Sequence, residues 1–373
     1  MQTKTWIGLA AVTAVVVAGA AYTVIQRDAA TSEQVVEGAL FPDLIDRVND
    51  VRTVTVTKGE QTWTIRRGDA GWTMDEKDGY RASADRVKKT VVAMADLKIL
   101  EPKTSNPDLY RKIGVDDVDK PWSEAVLVTL QDDGGSDLAA LLIGNTRSHE
   151  SGAKPAEVYV RKPGEAASWL VEARLDVKPE AMAWLDPQTL KLDKGRVRRV
   201  ATIHPDGETA VIDRANETVD FFTLQSIPEG HKLRSTQRLG SMAAGLEFIG
   251  HKDVTPADGH DFDGKAAVTE VTTGDGLRVT VEVLPEPVDE DHHWARFRAE
   301  FDEALVVKPA ADDEEAEGDH ALDAVREEAE AINARVAGWA YLLPDYRAEH
   351  FLRRMADLIE PAEPDEAAPN DDS

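Results

Sequence analysis

The feature that most constrains this chain is an uninterrupted apolar segment near its start, Trp6–Ile25, which contains no charged residue and no proline. As an α-helix with a rise of about 1.5 Å per residue, a segment of this length spans about 30 Å, the thickness of the hydrocarbon core of a bilayer. The segment therefore predicts either an uncleaved transmembrane anchor or a secretory signal peptide. Both alternatives would carry the rest of the chain across a membrane.

Residues on either side of the segment bear on this choice. A signal peptide would use Lys4 as its charged region and Ala18-Gly19-Ala20 as its cleavage site. The length of the segment and the lack of a polar break before those small residues favour the anchor. Because Lys4 precedes the segment while Asp28 and Glu33 follow it, we expect a cytoplasmic N-terminus and a body on the opposite side of the membrane. The prediction is a single-pass membrane protein, with residues 1–27 as stub and helix (or signal peptide) and residues 28–39 as a spacer.

The body that follows is acidic and lacks cysteine. The 373 residues carry a formal charge of -27, and such a body repels the phosphate groups of nucleic acids and of anionic membrane surfaces, which argues against both as partners of the body. The absence of cysteine excludes disulfides, cysteine-ligated zinc, a cysteine nucleophile and a lipid on an N-terminal cysteine. A chain of this length is expected to form two or three domains.

Residues 40–190 predict an α+β unit. Alternating apolar residues in Val51–Ile65, interrupted by Lys58-Gly59, indicate a β-hairpin. Ala84–Leu97 has apolar residues at helical spacing and predicts a helix across the sheet. Further strands are predicted at Ala125–Leu130, Leu138–Ile143, Glu157–Arg161 and Ser168–Glu172.

Residues 191–308 repeat this pattern. Val197–Phe222 restates the hairpin and Leu233–Leu246 restates the helix, at an offset of about 145 residues. The strands that follow are restated at Ala267–Val271, Leu277–Leu284 and His293–Phe301. The predicted fold is therefore α+β, with an N-terminal transmembrane helix, two repeated sheet-plus-helix units and C-terminal helices. Residues 309–360 are expected to form an acidic linker and these helices, and residues 361–373 a disordered acidic tail.

Some motifs carry residue types used in catalysis or metal binding. Asp258–Gly264 resembles the start of a calcium loop, but the twelfth position is Thr269 where a glutamate is required, so an acidic turn is favoured. Asp289–His293 has metal-binding residue types, yet adjacent side chains on a strand point to opposite faces, which separates His292 from His293. Ser148–Ser151 places a serine near a histidine without a nucleophile elbow, and Gly274-Asp275-Gly276 lacks the context of a phosphate loop.

The tryptophans offer a second kind of candidate site, an aromatic groove for a glycan or peptide. Those considered are Trp63, Trp72, Trp122, Trp169, Trp184, Trp294 and Trp339. Several lie in alternating strands, where burial between sheet and helix is the usual outcome. Burial is therefore the favoured interpretation.

Several short motifs occur in the order that is typical of one bacterial envelope family. They are Leu40-Phe41-Pro42-Asp43-Leu44, Val51–Val56, Gly71-Trp72, Glu76-Lys77-Asp78-Gly79-Tyr80, Glu101-Pro102-Lys103-Thr104, Tyr159–Glu165, Ser168-Trp169-Leu170-Val171, Trp184-Leu185-Asp186 and Gly338–Pro344. Together they resemble the family catalogued as domain of unknown function 4340. The resemblance implies one N-terminal membrane helix, an extracytoplasmic body and association with ABC transporter components of the gliding-motility type. It transfers no catalytic residue.

With this resemblance, we expect a periplasmic accessory or scaffold protein that is anchored by a single span in the bacterial inner membrane. Its partners would be permease or auxiliary subunits of a gliding-type ABC transporter, and it would have no cofactor and no catalysis of its own. The alternative is a periplasmic module that binds a glycan or peptide, and an envelope hydrolase is the third hypothesis. The sequence assigns no catalytic, cofactor-binding or metal-ligating residue and leaves the oligomeric state open.

Overall fold

The computed structural model describes residues 38–147, 156–172, 175–215, 221–307 and 315–362. The predicted anchor Trp6–Ile25, the Ser148–Ser151 motif and most of the predicted acidic tail lie outside these residues. Within them, none of the helices combines the length and apolar character that a membrane span requires. The chain divides into two compact units, called here the first unit (Met1–Arg67 with Asp85–Pro179) and the second unit (Gly68–Ala84 with Glu180–Ser373).

The secondary structure is mainly antiparallel strand with interspersed helices. The elements up to residue 172 are α1 (Leu44–Arg47), β1 (Thr53–Lys58), β2 (Gln61–Gly68), β3 (Gly71–Met74), β4 (Tyr80–Arg81), α2 (Ala84–Ala95), β5 (Lys98–Pro102), α3 (Tyr110–Ile113), β6 (Val126–Gln131), β7 (Asp137–Arg147), β8 (Glu157–Arg161) and β9 (Ser168–Glu172). The later elements are β10 (Val197–Ile203), β11 (Thr209–Asp213), β12 (Thr223–Leu224), β13 (His231–Leu233), α4 (Thr236–Ala243), β14 (Asp253–Pro256), β15 (Ala267–Thr273), β16 (Leu277–Val283), β17 (His292–Phe301), α5 (Glu315–Val336), β18 (Trp339–Pro344), α6 (Asp345–Leu352), α7 (Met355–Leu358) and β19 (Ile359–Pro361).

In the first unit, seven antiparallel strands follow the order β2-β1-β6-β7-β8-β9-β5. On β1 the side chains of Val54 and Val56 are fully buried while Thr55 and Thr57 are partly exposed, which is the period of two that the sequence predicts. The hairpin turn between β1 and β2 contains Gly59 with a φ of 57°, a left-handed conformation that glycine adopts at little cost. α2 buries one apolar face, as its helical spacing predicts.

In the second unit, eight strands follow the order β12-β11-β10-β15-β16-β17-β18-β14. All the pairings between them are antiparallel. The β3–β4 hairpin also belongs to this unit, where Ala82 forms a bridge with Leu185. β13 and β19 form a separate pair of strands. The α+β class predicted from the sequence is therefore confirmed.

The C-terminal part differs from the prediction, because its elements complete the second sheet. β18 pairs with β17 only over His292–Ala295, so the rest of β17 has no strand partner on that side among the described residues. α5 lies there instead, and the side-chain amide of Asn333 accepts from the backbone N–H of Ala299 at 2.9 Å and donates to its carbonyl at 2.6 Å. The boundary predicted at residue 308 thus falls inside the second unit, because α5 lies in the sequence between β17 and β18, which are paired in the sheet.

The acidic linker predicted at the start of residues 309–360, which corresponds to Ala310–Asp319, is also helical in part. α5 begins at Glu315, so the last five residues of that stretch are helical. Acidic composition therefore did not prevent a helix from starting here.

Candidate functional site

A concave site lies in the second unit at the base of the β10–β11 hairpin. Its volume is about 460 Å³, within the range of small-molecule pockets. The lining residues are Arg198, Arg199, Asp213, Arg214, Ala215, Phe221 and Thr223, and we call this site the arginine cleft. Three guanidinium groups and one carboxylate line it, although the chain as a whole is strongly acidic.

A β-bulge explains how two consecutive arginines reach the same cleft. Consecutive side chains on a regular strand point to opposite faces. In the β10–β15 pairing, Val197 is opposite Thr273 and Arg199 is opposite Thr272, so Arg198 is an extra residue in β10. A bulge interrupts the alternation of side chains and redirects them. Arg198 and Arg199 accordingly both line the cleft.

Arg214 is fixed in the floor of the cleft. Its side chain is 6% exposed, and its guanidinium donates hydrogen bonds to the carbonyl oxygens of Lys194, at 3.3 Å, and Gly195. The same guanidinium lies 5.3 Å from the centre of the Phe222 ring. The backbone N–H of Arg214 donates to the carbonyl of Arg198 at 3.0 Å. Arg214 therefore holds the turn before β10 against the end of β11.

The carboxylate of Asp213 is shared between several donors. It accepts hydrogen bonds from Thr223 Oγ1 at 3.0 Å and from Gln225 Nε2 at 2.7 Å. The nearest guanidinium nitrogen of Arg199 is 3.7 Å away. The guanidinium of Arg198, which is only partly exposed, has no hydrogen bond or ion pair within the described part of the chain. The cleft therefore keeps an excess of positive charge.

The acidic turn at Asp258–Gly264 uses its carboxylates in ion pairs. Asp261 lies 2.6 Å from Lys265, and Asp263 lies 3.2 Å from Arg296. β14 and β15 flank the turn, as the sequence predicts. Among the described residues there is no group of three His, Cys, Asp or Glu side chains that could hold a metal ion.

The adjacent histidines have separate partners. His292 Nδ1 lies 2.8 Å from a carboxylate oxygen of Asp289 at the surface. His293 is 6% exposed, with Nδ1 at 2.9 Å from the carbonyl of Leu284 and Nε2 at 3.2 Å from Asp345. The structure therefore places these two rings apart, as alternation along β17 predicts.

The other predicted candidates do not meet at one site. Gly274-Asp275-Gly276 forms the turn between β15 and β16, where Asp275 accepts from Arg196 at 2.9 Å. Trp184 is fully buried, whereas Trp122 is 50% exposed. The remaining tryptophans considered, Trp63, Trp72, Trp169, Trp294 and Trp339, are partly buried. None of these seven tryptophans lines the arginine cleft.

An aromatic cluster in the second unit went unnoticed in the sequence. The ring of Tyr80 is 4.9 Å from that of Trp339, and the ring of His251 is 5.1 Å from that of Tyr341. Burial lowers the pKa of His251 to about 4, and the nearby charge of Arg81 acts in the same direction. Burial raises the pKa of both tyrosines. The cluster is therefore neutral at physiological pH and serves as core.

In contrast to this buried cluster, a surface near α6 has two exposed aromatic side chains beside an arginine. Phe248 is 61% exposed and Tyr346 is 62% exposed. The guanidinium of Arg347 lies between them, 5.1 Å from the ring centre of Phe248 and 5.2 Å from that of Tyr346. We call these three residues the Arg347 surface. It offers two accessible rings around a cation.

The comparisons with known proteins agree with the motifs in the sequence. A family model described as "Domain of unknown function (DUF4340)" matches residues 72–258, which is about half of the chain and includes the arginine cleft. No curated protein matches the chain at a significant level. The chain therefore belongs to the DUF4340 family.

Proposed function

We propose that this protein is a periplasmic accessory or scaffold protein, anchored in the bacterial inner membrane by Trp6–Ile25, that partners a gliding-type ABC transporter without catalysis of its own. The length and apolar character of the N-terminal segment and the family resemblance support this proposal. We further propose that its body arose by duplication of a sheet-plus-helix unit, since β1-β2-β6-β7 and β10-β11-β15-β16 are arranged in the same order in their sheets.

The observation that carries the proposal is the Arg347 surface. Aromatic residues and arginine are the residue types that contribute most to the binding energy of protein interfaces. The rings of Phe248 and Tyr346 remain largely exposed and therefore keep most of their apolar area for a partner. Arg347 between them supplies a guanidinium, which pairs with a carboxylate in two parallel hydrogen bonds. A transporter subunit with an acidic residue beside an apolar pocket would fit it.

Co-purification of the full chain in mild detergent, with and without cross-linking, tests this function. Transporter subunits identified by mass spectrometry are expected to accompany the wild-type chain. A Phe248→Ala, Tyr346→Ala double variant should lose them. Val288→Ala, which truncates another exposed apolar side chain of the second unit, is the matched control and should retain them. Recovery of the wild-type chain under cross-linking without any transporter subunit would contradict the proposal.

A second function, a periplasmic ligand-binding module, is favoured by the arginine cleft. The candidate residues for such a module differ from those predicted from the sequence, because none of the seven tryptophans considered lines the cleft, whereas Phe221 does. A glycan or peptide bound there would need an anionic group to match the arginines. This function is compatible with a transporter accessory, since such a protein can present its ligand to the transporter.

A further inference from the structure

We propose that the arginine cleft binds a small organic oxyanion, a phosphate or carboxylate carried on an apolar or ring-shaped group, and that Arg198 is its principal contact. This inference goes beyond the accessory function and does not depend on a transporter partner. Its basis is a comparison of the two hairpins, β1–β2 and β10–β11, which belong to different units but have the same local geometry.

The base of each hairpin has an arginine at the same hydrogen-bonded position. In the first unit the backbone N–H of Arg67 donates to the carbonyl of Arg52 at 2.8 Å. In the second unit the backbone N–H of Arg214 donates to the carbonyl of Arg198 at 3.0 Å. Arg52 thus corresponds to Arg198, and Arg67 corresponds to Arg214.

Each hairpin has one arginine that donates hydrogen bonds to the turn preceding it, and this role is exchanged between the two corresponding positions. In the first unit, Arg52 donates to the carbonyls of Asn49, at 2.9 Å, and Val51, at 3.3 Å, and so satisfies the turn before its own strand. In the second unit the turn before β10 receives its hydrogen bonds from Arg214. Arg198 therefore does not hydrogen-bond the turn before its strand, as Arg52 does in the first unit.

The second observation is the β-bulge in β10. The pairing of β10 with β15 contains the extra residue Arg198. Bulges are frequent beside functional sites because they redirect a side chain. In this hairpin the bulge brings the guanidinium groups of Arg198 and Arg199 to one cavity.

The charges and shape of the cavity define the class of ligand. The planar donors of arginine match the oxygens of carboxylate and phosphate, and they bind them in pairs of hydrogen bonds. Asp213 offsets only part of the positive charge, because the cleft has one carboxylate for three guanidinium groups. The volume of about 460 Å³ exceeds that needed by a bare anion. Phe221, which is 63% exposed, provides an apolar wall for the part of the ligand that carries the anion.

The test is a calorimetric titration of the full chain, purified in detergent, with phenyl phosphate and with benzoate. We expect saturable binding of at least one of them, and we expect it to weaken as salt screens the charges. The two anions distinguish a phosphate site from a carboxylate site. Benzyl alcohol, which has the ring without the charge, should not bind. Equal binding of benzyl alcohol, or no saturable binding of either anion, would overturn the proposal.

Substitutions assign the binding to Arg198. Arg198→Gln should weaken binding by about tenfold or more, since one charge-assisted hydrogen bond accounts for that much. Arg198→Lys retains the charge but loses the planar pair of donors, so it should give an intermediate loss of affinity. It also provides the test if Arg198→Gln fails to fold. The matched control is Arg52→Gln, the equivalent change in the first unit, which should leave the affinity unchanged. An equal loss in Arg52→Gln, or an unchanged affinity in both Arg198 variants, would contradict the assignment.

Discussion

The two units are built on the same strand order and differ in what is attached to it. The order β2-β1-β6-β7-β8-β9-β5 in the first unit corresponds strand by strand to β11-β10-β15-β16-β17-β18-β14 in the second. In the first unit β8 pairs with β9 along its whole length. In the second unit α5 is inserted between the equivalent strands and covers the unpaired part of β17. The two sheets therefore share their strand order, and they differ in what covers their edges and in the arginines at the base of the first hairpin.

The largest expected effect concerns a close approach of backbone in the first unit. A Cβ added at Gly144 on β7 would overlap the carbonyl oxygen of Ile113 and lie 2.8 Å from that of Gly114. Backbone atoms cannot rotate away as side chains do, so Gly144→Ala should lower the free energy of unfolding by about 3 kcal/mol. Chemical denaturation followed by circular dichroism measures this. Gly134→Ala, whose new Cβ would meet only the Asp132 side chain at 3.4 Å, is the control.

The next effect tests the insertion in the second unit. Asn333→Leu removes both hydrogen bonds to Ala299 and leaves a backbone N–H and C=O of β17 without partners. We expect a loss of about 2 kcal/mol in the free energy of unfolding, since an unsatisfied buried group costs about 1–3 kcal/mol. Glu330→Ala, an exposed change on the same helix, should have little effect. If both variants were equally stable, α5 would not be covering the edge of β17 in the way described.

A smaller effect concerns the pH dependence of the second unit. The pKa of His251 is lowered to about 4 in the folded chain, so the unfolded chain takes up its proton first as the pH falls. The neutral ring therefore contributes fully above the ordinary histidine pKa of about 6.5, and stability should decline as the pH falls from there towards 4. His251→Leu should flatten this part of the stability curve. Thr189→Val, which removes the hydroxyl 3.2 Å from Nδ1, should shift the curve without flattening it.

Much of the fold could be predicted because alternation and helical spacing are local. The β1–β2 hairpin, α2 and β6 to β9 follow from where apolar residues stand in the sequence. The repeat could be followed as far as β17 by its offset. The membership of β18 in the second sheet could not be predicted. α5 separates β18 from β17 in the sequence, and pairing between distant segments leaves no local pattern.

The arginine cleft was harder to predict. A strand with two consecutive arginines normally presents them to opposite faces, and the bulge that reverses this depends on the register with β15. One signal is visible in retrospect. Val51-Arg52-Thr53-Val54 is repeated as Val197-Arg198-Arg199-Val200, so the second copy has gained an arginine at a repeated position.

The most direct test of the central comparison measures the free energy of unfolding of four single variants, Arg52→Gln, Arg67→Gln, Arg198→Gln and Arg214→Gln. If the structural role is exchanged between the hairpins, Arg52→Gln and Arg214→Gln should each lower it by about 1–2 kcal/mol, because each loses hydrogen bonds to the carbonyls of a turn. Arg67→Gln and Arg198→Gln should change it by less than about 0.5 kcal/mol. A loss in Arg198→Gln as large as that in Arg214→Gln would contradict the exchange.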